Sequence, residues 1–378
     1  MVLCGKRIKE TQVIKVMKIG IITFSDRNNM PYLKYYEDII RKEKVDYECI
    51  FWDRFANGET EKTNNEYTLH IKCLPGANKL GKIIPMLKYK YIIEEIIKKE
   101  QYTHLIILTT LPGVLINKLL LKQFKNKYIL DIRDYTYEKY TFYKKIVDKL
   151  VDNSFFAAIS SKGFLRFLND NERIITCHNI SNVEEIKETC ADFRNKKQIT
   201  IGFLGNIRYF EENCKLIDAL ANNPKYKLVY IGKPNVDCDL EGYCKNKSIK
   251  NVVFKGEFKN EDKPKLYKEI DLINALYGND SLEVTTALPN RLYDGILFKK
   301  PVIATKGTYL GDIVDKFHLG IFVDINSSFF KKYMDDYIKD FKKFEFNRSC
   351  EYIFKIIEKE QKSFYKRITG FCYKNDNK

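Results

Sequence analysis

Two stretches of this chain carry residue types suited to holding a compact anion. The first is Ile201-Gly202-Phe203-Leu204-Gly205-Asn206-Ile207-Arg208-Tyr209, an apolar run that ends at Gly205 and leads into a helical pattern, Phe210–Leu220. A glycine at that turn removes the Cβ that would keep backbone N–H groups from a ligand. A helix start favours negative charge, and Arg208 supplies a planar fork of donors matched to phosphate oxygens. The second stretch is Leu288-Pro289-Asn290-Arg291-Leu292-Tyr293-Asp294-Gly295-Ile296-Leu297-Phe298-Lys299-Lys300-Pro301-Val302-Ile303-Ala304-Thr305. Pro289 is placed to open a helix. Arg291 and Asp294 stand three apart and share a helix face. A diphosphate at this N-terminus would meet free amides and Arg291, while Asp294, one turn in, would accept hydrogen bonds from ribose hydroxyls. The plainer alternative is an Arg291–Asp294 ion pair on a surface helix, worth little energetically.

These residues need a frame. Strand patterns occur at Lys18–Phe24, Tyr47–Asp53, His104–Thr109, Tyr128–Ile132, Phe155–Ile159 and Ile174–Cys177. Between them Tyr32–Lys42, Leu87–Lys99, Val114–Phe124 and Phe142–Val151 have helical spacing, and the polar interval Phe55–Gly81 reads as a long loop. After a charged seam, Val183–Lys197, the alternation restarts with strands at Ile199–Leu204, Lys227–Ile231, Val252–Phe254, Leu272–Leu276, Val302–Ala304 and Ile321–Val323. Strands alternating with helices imply parallel α/β sheets, and ligands in such sheets sit beyond the strand carboxyl ends. The expected architecture is therefore two Rossmann-like domains facing across a cleft, with helices at the C-terminus. The expected boundaries are an extension at 1–16, an N-terminal domain at 17–182, a C-terminal domain at 183–325 and terminal helices at 326–378. Met1 and Met17 are both candidate starts.

Composition narrows the classes. The 378 residues are 44% hydrophobic, enough for real cores. The 10 cysteines are scattered, with no CxxC pair, and read as buried reduced thiols of a cytosolic protein. The most apolar stretch, Leu105–Leu121, is broken by Thr109, Thr110, Pro112, Gly113, Asn117 and Lys118, so it does not read as a membrane span. The net charge of +16 comes from dispersed lysines, which fits a solvated surface, a phosphorylated substrate or an anionic membrane. No RNP-type, zinc or helix-turn-helix pattern supports nucleic-acid binding.

The second stretch resembles the donor-binding signature of the GT-B glycosyltransferases, specifically the large retaining family four. The Gly205–Arg208 turn is similar to that family's glycine–arginine phosphate loop. Lys250-Asn251-Val252-Val253-Phe254-Lys255-Gly256-Glu257-Phe258 resembles its strand before the base-contacting loop, and Leu130-Asp131-Ile132-Arg133-Asp134 resembles a D-x-R-D found after an N-domain strand. The likeness covers about residues 17–325. It implies a nucleotide-sugar co-substrate of UDP or GDP type, held by Gly205, Asn206, Arg208, Lys215, Phe258, Pro289, Asn290, Arg291 and Asp294. It implies sugar transfer with retention, the leaving diphosphate stabilised by Arg208 and Arg291, and no metal or other cofactor. Asp134 or Arg133 would orient a saccharide or lipid-linked saccharide acceptor for surface polysaccharide synthesis. The expected location is cytoplasmic, at the inner face of the membrane, with peripheral contact to anionic lipid.

The sequence also departs from the family pattern. Eight positions before Asp294 the family carries an acid that contacts the transferred sugar; Thr286 stands there, and Glu283 is out of register. Ser25–Asn29 lacks the usual glycine pair, and His104 and His178 read as structural. A nucleotide-sugar epimerase of the same fold and a catalytically inactive nucleotide-sugar-binding subunit are the alternatives.

Overall fold

The computed structural model describes residues 17–74, 79–180, 190, 192–236 and 238–373. The 1–16 extension and most of the seam at 183–197 lie outside the described residues. In chain order the first elements are β1 (Lys18–Ile22), α1 (Leu33–Lys42), β2 (Asp46–Asp53), β3 (Glu61–Thr63), β4 (Glu66–His70), α2 (Lys79–Glu100), β5 (His104–Leu108), α3 (Thr110–Leu115), α4 (Asn117–Gln123) and β6 (Tyr128–Ile132). Next come α5 (Thr141–Asn153), β7 (Phe156–Ile159), β8 (Ile174–Thr176), β9 (Ile199–Leu204), α6 (Phe210–Ala219), β10 (Tyr226–Ile231), α7 (Leu240–Asn246), β11 (Val252–Lys255), α8 (Lys263–Lys268) and β12 (Leu272–Ala275). The chain continues through α9 (Leu282–Thr286), α10 (Asn290–Leu297), β13 (Val302–Thr305), α11 (Tyr309–Lys316), β14 (Gly320–Val323), α12 (Phe330–Lys339) and α13 (Lys343–Cys372).

The chain packs as two compact units. One holds the residues up to Asp131 with Asn153–Phe156 and the chain from Tyr365 onward. The other holds Ile132–Asp152 and Ala157–Phe364. In the first, strands run in the order β3-β4-β2-β1-β5-β6, parallel except for the β3–β4 hairpin. In the second, β7 pairs with β8, and a separate six-stranded parallel sheet runs β11-β10-β9-β12-β13-β14. β1, β5, β9 and β13 are near-continuous apolar runs, as strands covered on both faces must be.

Three expectations need correction. Phe55–Gly81 is not one long loop: Asn64, at φ +49°, and Asn65 turn the β3–β4 hairpin, and β4 adds parallel to β2. Tyr67 and Leu69 alternate inward along β4, a period-2 signal hidden among polar neighbours. The helix expected at Val114–Phe124 is instead two, broken at Ile116, where the Asn117 amide takes the Val114 carbonyl. The helix expected from Leu87 starts at Lys79. All nine described cysteines are buried and free of disulfides.

Candidate functional site

The carboxyl ends of β9, β10 and β11 open onto a groove of about 530 Å³, lined by Gly205, Asn206, Gly232, Lys233 and Phe258 among others. Two glycines make it possible. Gly205 has φ +119° and Gly232 φ +138°, and a Cβ on Gly232 would lie 2.0 Å from the Gly205 carbonyl oxygen. The two turns are thus stacked backbone against backbone, an approach only glycine permits. Gly205 N–H donates to the Ile231 carbonyl at 3.0 Å, which ties the turns together.

Arg291 converges on the same turn. A Cβ on Gly205 would sit 3.4 Å from Nη2 of Arg291. The guanidinium lies over the Phe203 ring, 3.4 Å from its centroid, and Nε donates to the Leu204 carbonyl at 2.9 Å. Nη1 contacts the Tyr277 hydroxyl. Only 6% of the residue is exposed. Arg291 is therefore a fixed, desolvated cation behind the Gly205 turn, not half of a surface ion pair with Asp294. Arg208, by contrast, is exposed and makes no ion pair among the described residues. Burial pushes the Tyr277 phenol up, and the charges of Arg291 and Arg208 both pull against that rise.

The turn between Gly205 and α6 is held from below by Asn213, which is completely buried. Its amide donates to the carbonyls of Arg208 at 2.7 Å and Tyr209 at 2.9 Å. Its oxygen accepts from the Tyr230 hydroxyl and the Asn274 amide, both at 3.0 Å. These bonds secure Tyr209 in the left-handed region, φ +62°, ψ +59°, a conformation costly for a non-glycine residue. The Tyr209 ring packs 4.9 Å from that of Tyr277.

The remaining expected residues are less uniform. Pro289 caps α10 and Asn290 is exposed in its first turn. Asp294 is buried rather than open, its carboxylate accepting from Lys263 Nζ at 3.0 Å on both oxygens and from the Tyr267 hydroxyl at 2.8 Å. Lys215 lies on α6 and pairs with Glu212 at 2.6 Å, whereas Lys233 lines the groove itself. Arg133 is buried and turned onto the Cys177 carbonyl at 3.2 Å and Asn179 at 2.9 Å, while Asp134 beside it is exposed. Thr286 is sealed, its hydroxyl bonded to the Leu282 carbonyl, so it presents nothing to a ligand. Glu283, one turn earlier on α9, is exposed. His178 bridges the Tyr293 hydroxyl of α10, at 2.9 Å, and Glu360 of α13, at 2.8 Å, a structural role. His104 is equally structural, packed edge-on against Phe371.

Sequence reasoning missed Gly232, Asn213, Tyr277 and Lys263. Gly232 had a signal, since it ends β10 as Gly205 ends β9; a buried polar residue on a helix such as Asn213 had none.

Residues 186–352 match the family model described as glycosyl transferases group 1. That match lies almost entirely within the second half of the chain. The solved structures similar to it include sucrose-phosphate synthase from Thermosynechococcus elongatus, with TM-score 0.66, 13% identity, and 94% of this chain and 99% of that one covered. Anabaena HepE, solved with UDP and glucose, has TM-score 0.61, 16% identity, and 93% and 99% coverage. The lipopolysaccharide outer core galactosyltransferase WaaB has TM-score 0.59, 14% identity, and 94% and 99% coverage. No curated protein matches the chain by sequence. The chain has the GT-B fold, with parallel α/β sheets and a long C-terminal helix.

Proposed function

We propose that this glycosyltransferase moves a sugar from a UDP- or GDP-sugar to a saccharide or lipid-linked saccharide, with retention, in surface polysaccharide synthesis. The donor is assigned to residues 183–325 and the acceptor to 17–182. The observation that carries the reading is the packing of desolvated Arg291 against the Gly205 turn that lines the groove, three residues before exposed Arg208.

Breaking the glycosidic C–O bond builds negative charge on the leaving diphosphate. Donors already oriented toward that charge lower the barrier, because no reorganisation is needed at the moment of reaction. Arg208 supplies the mobile cation, Arg291 the fixed one, and Gly205 and Asn206 the close backbone approach. Phe258 flanks the base, Pro289 and Asn290 open the helix toward the phosphates, and Lys215 adds positive charge along α6. Asp294 takes the ribose with Lys263 as its holder. With Thr286 sealed, Glu283 is the acid available to the transferred sugar. In a retaining reaction the departing phosphate oxygen itself takes the acceptor's proton, and Asp134 orients that acceptor.

A nucleotide-sugar panel tests the reading by thermal shift and by release of UDP or GDP. Stabilisation and turnover with at least one donor are expected. No stabilisation by any nucleotide or nucleotide-sugar would refute it.

A further inference from the structure

We infer that Thr109 is a positioning residue for the acceptor, binding one of its hydroxyl groups at the carboxyl end of β5. The inference rests on the reading above and adds to it a contact in the first unit. Thr109 has φ +74° and ψ +161°, a region open essentially to glycine alone. It is the one β-branched residue at positive φ among the described residues. Its Oγ1 is buried with no hydrogen-bond partner among them. Each feature costs on the order of tenfold in the folding equilibrium.

The fold needs a sharp reversal at this point but does not need threonine. Thr109 N–H donates to the Asp131 carbonyl at 2.8 Å, so the ladder between β5 and β6 runs up to this residue, and α3 begins at the next. A single residue must make the turn. At the ends of β9 and β10 the chain meets a similar demand with Gly205 and Gly232, at φ +119° and +138°. Glycine at position 109 would turn the chain without that strain. A strained side chain standing where glycine would serve marks a functional position.

Topology indicates what it meets. β1 lies between β2 and β5 in the sheet. The chain leaves β1 toward β2 on one side and leaves β5 toward β6 on the other, so the connections part at the boundary of β1 and β5. Such a switch point is where ligands enter a parallel sheet. Ile22 is level with Ile107, which puts Phe24 and Thr109 at matching positions on the two sides of the boundary, and both are partly exposed. A threonine hydroxyl is neutral and both donates and accepts. It therefore suits an alcohol group of a saccharide rather than a phosphate. Relaxation of the turn would release the backbone strain and free Oγ1 for that bond in one movement.

The test is steady-state transfer by the full chain from the nucleotide-sugar it turns over fastest, read as UDP or GDP release. The acceptor probes are methyl and octyl glycosides of glucose, galactose, mannose and N-acetylglucosamine. Thr109→Val keeps the shape and removes the hydroxyl, Thr109→Gly relieves the backbone, and Thr109→Ser keeps the hydroxyl. The valine and glycine variants should raise the glycoside KM by roughly tenfold or more with a smaller fall in kcat, and the serine variant should stay within about threefold of the parent. Thr109→Val should also unfold at higher urea, because a buried hydroxyl without a partner is gone. UDP and GDP binding on the same samples reports the donor site. A parent that binds neither nucleotide loses the functional reading and this inference with it. A parent that binds a nucleotide, while both Thr109→Val and Thr109→Gly keep the parental KM or no glycoside speeds release, loses this inference alone. A lower urea midpoint in Thr109→Val overturns it as well, since the hydroxyl would then be holding the fold.

Discussion

The two site arginines should fail in different ways when removed. Arg208 is exposed and has no ion-pair partner among the described residues, so Arg208→Ala removes only what it gives the ligand. A charge-assisted hydrogen bond to a phosphate is worth about 1.5–3 kcal/mol, or roughly tenfold to a hundredfold in affinity. Stability should move by no more than about 0.5 kcal/mol, as for other surface changes. Arg291→Ala removes the bond to the Leu204 carbonyl, the contact with the Tyr277 hydroxyl and the stack on Phe203. It also opens a cavity behind the Gly205 turn. The charged hydrogen bond, at about 2 kcal/mol, and the desolvated cation–π contact, at about 2 kcal/mol, predict a stability loss of roughly 3–4 kcal/mol. Nucleotide affinity should fall with it. Titration calorimetry with UDP and GDP and urea unfolding of both variants read the two effects separately. If both variants bind both nucleotides like the parent, the donor-site assignment is wrong. If Arg291→Ala unfolds like the parent, the reasoning from burial is wrong.

Gly232→Ala should nearly abolish nucleotide binding, since its Cβ would lie 2.0 Å from the Gly205 oxygen, and calorimetry on the folded fraction reads it. Asn213→Ala should cost about 2–4 kcal/mol in urea unfolding, because it leaves buried partners unpaired around the Tyr209 turn, and should weaken UDP and GDP as well. Glu283→Gln should lower turnover of the preferred nucleotide-sugar at least tenfold with little change in UDP or GDP affinity; equal turnover would remove Glu283 from the sugar site. Burial alone would raise the Glu360 carboxyl, but hydrogen bonds from His178 and Lys162 outweigh it and hold it at about 2, below its ordinary 4.5. A depressed carboxylate stabilises the fold above its unfolded pKa. That contribution, at most roughly 3 kcal/mol, should be lost as pH falls from near 4.5 toward 2, and Glu360→Gln should flatten urea stability over that window.

The sequence by itself fixed the αβ alternation, because buried parallel strands must be continuous apolar runs and their connecting helices must carry an apolar stripe. β1, β6 and β9 could be read within a residue or two for that reason. It also placed Gly205 and Arg291 as partners, since a glycine ending one strand and a cation opening a later helix both lie at strand carboxyl ends. It did not find β4, whose two inward residues are too few to stand out between polar turns. Nor could it say which polar groups are free. Asp294 sits one turn into α10 in any reading, but only packing brings Lys263 and Tyr267, about 30 residues earlier in the chain, onto its oxygens. Likewise Arg208 and Arg291 are one residue type in sequence and two in space, because burial depends on what lies across the sheet. Charge and spacing are local properties and can be read along the chain; desolvation and pairing are set by residues distant in sequence, and only the tertiary structure supplies them.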